Sequence, residues 1–127
     1  MDTNTNPAAA SASSSRDNPC YGSDPTAATL NVFTDDERSY QLPYAQFLYS
    51  ETTPNSALEK DADAPPEKLL IVFAVAKVTV LGSGLTSLER LIQKYELKFV
   101  KSAGRRYARL LNTHVAAVTI SFTKELQ

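Results

Sequence analysis

The sequence predicts an α+β domain: a curved, mainly antiparallel sheet or small open β-barrel of about five strands, with one amphipathic helix packed on it and a second short helix. Three observations carry that expectation. In KLLIVFAVA, from Lys68 to Ala76, Leu69, Ile71, Phe73 and Val75 alternate with Leu70, Val72, Ala74 and Ala76, so both faces of the segment are apolar, as in a strand covered on both sides. From Lys77 the pattern becomes one-sided, with Lys77 and Thr79 polar and Val78 and Val80 apolar, which predicts one long strand that bends out of the core. Gly82-Ser83-Gly84 then breaks the strand. Beyond it Leu88, Leu91, Ile92 and Tyr95 recur at three- and four-residue spacing, with Glu89, Arg90, Gln93, Lys94 and Glu96 on the other side, so a helix with one apolar stripe folds back onto the sheet. Thr86 and Glu89 have the spacing of a capping box at its start.

The remaining elements follow in chain order. Residues 1–26 are Asn, Ala, Ser, Thr and Pro with Tyr21 as the one large apolar group, which predicts a disordered tail followed by a single domain over residues 27–127. Leu30 and Val32 alternate with polar neighbours in a short strand. A polar turn at Asp35 to Arg38 leads into a second strand around Tyr40 and Leu42, which Pro43 breaks because it donates no ladder hydrogen bond. Residues 51–67 hold three prolines, five acids and Leu58 as the one large anchor, and read as a mobile acidic loop. After the helix, Leu97 and Phe99 alternate with Lys98, as in a one-sided strand. GRRYARLLN, with Tyr107, Leu110 and Leu111 on one face, reads as the second short helix, and VAAVTISF as a closing strand.

Composition narrows the function classes. Lys plus Arg is 13 and Asp plus Glu is 14, so the chain is neither a polycation nor an acidic solvating segment. The charge is nevertheless polarised: residues 1–67 hold 11 acids and 3 bases, residues 68–127 hold 3 acids and 10 bases. One cysteine, Cys20, forms no intramolecular disulfide, and with a single histidine, His114, one chain builds no Cys/His zinc cluster. The expectation is a cytoplasmic protein without cofactor. No apolar run approaches the ~20 residues of a membrane helix, so no membrane partner is expected.

Between Lys94 and Arg109 lie six of the 13 cations: Lys94, Lys98, Lys101, Arg105, Arg106 and Arg109. On a helix Arg105 and Arg109 stand one turn apart and could grip one phosphate or carboxylate. Lys98, Lys101, Arg105, Arg106 and Arg109 are therefore the candidate residues for binding an anion, RNA or another polyanion. The competing reading is that these cations solvate exposed faces or answer the acidic half of the same chain. Gly82-Ser83-Gly84 lacks the length and ending of a phosphate loop, and His114 has no nucleophile in a recognisable motif. The sequence thus points to a non-enzymatic binding or assembly module that takes a protein partner or forms a homo-oligomer, with polyanion binding as the alternative.

Overall fold

A computed structural model describes residues 18–123. Its elements are β1 (Tyr21–Ser23), β2 (Thr29–Phe33), β3 (Ser39–Pro43), β4 (Phe47–Pro54), β5 (Glu67–Phe73), β6 (Ala76–Ser83), α1 (Thr86–Gln93), β7 (Leu97–Val100) and β8 (His114–Phe122), with 3-10 turns at Tyr44–Gln46, Ser56–Glu59 and Arg105–Tyr107. The eight strands form two four-stranded sheets, in the orders β1-β7-β2-β3 and β4-β5-β6-β8. All pairings are antiparallel except β2 with β7. The class is α+β as expected, but among the described residues there is no closed barrel and the strands number eight rather than the expected five.

Both sheets contribute to one core. Leu30 and Val32 of β2, Leu97 and Val100 of β7, Leu69 and Ile71 of β5, Val78 and Val80 of β6, and Val118 of β8 are all wholly buried in it. From α1 and its entry, Leu85, Leu88 and Ile92 join them. Each such side chain contributes on the order of 2 kcal/mol relative to exposure. The stripe predicted on the helix is therefore correct for Leu88 and Ile92, with Leu91 half-buried.

The largest correction concerns the apolar ribbon. It is not one bent strand but a hairpin, in which β5 and β6 pair antiparallel from Val72↔Lys77 to Glu67↔Gly82 around Ala74-Val75. Neither residue carries turn chemistry. Other elements hold the turn instead: Ala74 N–H donates to the Gln46 carbonyl at 2.8 Å, and Thr123 N–H donates to the Val75 carbonyl at 2.9 Å.

The helix ends differ from expectation as well. Thr86 and Glu89 form no capping box; the cap residue is Leu85, whose N–H donates to the Glu67 carboxylate at 2.9 Å from β5. At the other end Tyr95 adopts φ 60°, the left-handed conformation that closes a helix. Its N–H bonds the Ile92 carbonyl, and Glu96 N–H bonds that of Leu91. Tyr95 thus leaves the helix stripe and stacks on Tyr44, with centroids 5.1 Å apart.

Three further segments depart from the sequence reading. Residues 18–26, assigned to the tail, contain β1, and Cys20 is wholly buried in the core. Residues 51–67 divide among the end of β4, a 3-10 turn, a loop and the start of β5. Asn55 fastens the base of that loop: its side-chain amide donates to the Pro65 carbonyl at 2.8 Å and its N–H to Pro66 at 2.9 Å. The second helix is only the 3-10 turn Arg105–Tyr107, and Leu110, expected on its apolar face, is 75% exposed.

Candidate functional site

Near its start β8 carries an extra residue. Leu81 pairs with Ala117 and Gly82 with Val115, leaving Ala116 unmatched in a bulge. Small side chains on this stretch keep the surface low. A groove of about 810 Å³ lies over it, with Leu81, Gly82, Ser83, Ala116 and Ala117 in its floor. The 61–66 loop forms part of its wall and contributes Asp61 and Asp63, and the 105–109 segment forms another part and contributes Arg105, Arg106 and Arg109.

His114 positions the arginine wall. It is 4% exposed, and its Nε2 lies 3.0 Å from the Ala103 carbonyl oxygen and 3.1 Å from that of Gly104. One Nε2–H shared between two carbonyls fixes the loop immediately before Arg105. Within the wall, the Arg106 guanidinium lies over the Tyr107 ring at 5.0 Å and donates to its hydroxyl at 3.2 Å. Stacking of this kind orders a side chain that would otherwise sample many rotamers.

The candidate cations therefore separate into two groups. Arg105, Arg106 and Arg109 share the groove, although the helical spacing expected to join Arg105 and Arg109 is absent. Lys98 and Lys101 are exposed and do not line it. The Lys98 charge acts on Asp24, whose carboxyl is held below its ordinary range first by the Thr26 N–H and hydroxyl and then by that lysine. Lys101 lies near Cys20, where it partly offsets the burial that pushes the thiol up.

The opposite wall was not legible as a site. Asp61 and Asp63 stand in a sequence of acid, alanine and proline that reads as loop, and no local pattern shows that they line a groove with arginines more than forty positions away. The one signal is the charge polarity of the two halves of the chain, since acids of the first half and cations of the second line this one groove. Among the described residues no group of three or more His, Cys, Asp or Glu side chains is arranged to hold a metal ion. No helix among them is long and apolar enough to cross a membrane. Comparison of the chain with protein-family models, curated proteins and solved structures gives no match.

Proposed function

We propose that the chain is a non-enzymatic binding module whose groove takes an extended segment of a protein partner carrying both charge signs. The observation behind this reading is that Asp61 and Asp63 line one groove together with Arg105, Arg106 and Arg109. A ligand of one sign meets a like-charged wall, whereas a mixed-charge peptide answers both walls at once. The low floor accommodates a peptide backbone, and the Pro65-Pro66 pair stiffens the acidic wall.

The arginine wall also supports a second reading, a polyanion such as single-stranded RNA, but Asp61 and Asp63 oppose it. The two readings diverge in one experiment. A displayed library of octapeptides selected on the chain should enrich sequences with both acidic and basic residues. The binding of a selected peptide, followed by fluorescence anisotropy, should weaken about tenfold in Arg105→Gln/Arg109→Gln and in Asp61→Asn/Asp63→Asn. Absence of enrichment removes the peptide reading. Binding of an oligouridine probe that falls steeply with salt and tightens in Asp61→Asn/Asp63→Asn establishes the polyanion instead.

A further inference from the structure

Among the described residues, the outer edge of β8 is bonded along part of its length and open along the rest. Val115 N–H lies 3.3 Å from Cys20 Sγ, and its carbonyl accepts from Ala103 N–H at 2.9 Å. Three residues on, Val118 N–H donates to both carboxylate oxygens of Asp35 at 3.2 Å, and its carbonyl accepts from Asp35 N–H at 3.2 Å. Asp35 thus occupies the place of a neighbouring strand at that position.

These bonds also fix which backbone groups face outward. Outward-facing residues of an antiparallel edge strand recur every second position. Because Val118 faces out and the register Val80↔Val118, Val78↔Ile120, Ala76↔Phe122 is regular, Ile120 and Phe122 direct their N–H and C=O groups away from β6 as well. Among the described residues no other element bonds them. The open stretch carries none of the features that ordinarily block an edge, since Thr119, Ile120, Ser121 and Phe122 include neither charge nor proline.

A hollow of about 400 Å³ lies beside this stretch, lined by Arg38, Tyr40, Val118, Ile120 and Phe122 among others. Tyr40 packs on Phe122 at its margin, with centroids 5.2 Å apart, and Phe122 remains 49% exposed. The hollow exceeds the size of a phenyl group, and its aromatic and aliphatic residues share the lining with Asp35, Asp36, Arg38 and two threonines.

We propose that a second copy of this chain pairs with β8 along the open edge, antiparallel and about a two-fold axis at Ser121. In that register Ile120 lies opposite the second copy's Phe122 and Phe122 opposite its Ile120. The two pairs exchange four backbone hydrogen bonds. Directly opposed residues of an antiparallel pair project their side chains from the same face. Each Phe122 therefore lies beside the other copy's Ile120 and enters its hollow. The contact is reciprocal and closes on itself, as a two-fold interface requires. Asp35 ends the pairing at Val118 and prevents the register from sliding further along β8. This contact is on a different part of β8 from the groove and stands independently of what the groove binds.

Sedimentation equilibrium over micromolar to millimolar chain tests the proposal. The expected result is a monomer–dimer equilibrium whose dissociation constant rises about tenfold or more in Ile120→Pro, which removes an edge donor, and in Phe122→Ala, which empties the hollow. Hydrogen exchange of the unaltered chain supplies a readout independent of variant folding: Ile120 and Phe122 amides should become protected as concentration rises. A monomer throughout the range, a dimer unaffected by both substitutions, or exchange at these amides that ignores concentration overturns it.

Discussion

Gly82 and Gly84 leave no room for a side chain. A Cβ on Gly82 would stand 2.0 Å from the His114 carbonyl oxygen, and one on Gly84 would stand 2.0 Å from that of Asn112, where φ is also +63°. Both obstacles are backbone of the neighbouring segment and cannot rotate aside. Gly82→Ala and Gly84→Ala should each cost about 3 kcal/mol in urea unfolding. Gly104→Ala meets nothing within 4 Å and should stay within about 0.5 kcal/mol. Equal effects at the three positions would contradict this packing. The sequence shows the first two as a break before a helix, and a glycine break is what local reasoning can read. That Gly82 still belongs to β6 and touches the strand beginning at His114 depends on a partner thirty residues away.

At the scale of elements, the carboxylate that serves α1 comes from another strand. Glu67 of β5 accepts the Leu85 N–H, whereas Thr86 makes no capping bond. Glu67→Ala should lower stability by about 1 kcal/mol in thermal or urea unfolding, whereas Thr86→Ala, at an exposed helix position without a capping bond, should leave it unchanged or raise it by a few tenths. The reverse order would restore the capping box. Periodicity revealed this helix because Leu88 and Ile92 must both face the core. It concealed the hairpin between β5 and β6, because residues on either side of Ala74-Val75 are apolar and the turn is fixed by Gln46 and Thr123 rather than by its own residues. The same limit explains the 105–109 segment, whose apolar spacing suggested a helix although Leu110 faces water. For the candidate site, the cationic wall could be read from the density of arginines, while the acidic wall requires knowing where the loop after Asn55 lies.

Across the whole molecule, two buried hydroxyl and thiol groups tie distant elements together. Cys20, just before β1, meets Val115 of β8 in the other sheet, and the Tyr44 hydroxyl donates to the Leu97 carbonyl at 2.6 Å. Burial raises both groups above their ordinary values of 9.0 and 10.0. The folded chain therefore holds these protons more tightly than the unfolded chain, and the stability they contribute is fully present below about pH 9 and is lost as pH rises above 9 for Cys20 and above 10 for Tyr44 toward their raised folded values. The urea midpoint should fall over that interval, and Tyr44→Phe should fall less steeply from a lower starting value. A midpoint constant across it would show that neither group is shielded from water.

The fastening of residue 18 to residue 113 has a temporal side. Asn18 donates to the Thr113 carbonyl at 2.9 Å, and Cys20 takes the Val115 N–H, so each of these residues is made 95 positions before its partner. A nascent chain that stops short of His114 holds β6 with one flank bare and Cys20 without its seat. Emergence of β8 then covers both, so nascent chains halted before His114 should be cut by protease more readily than chains extended past Phe122.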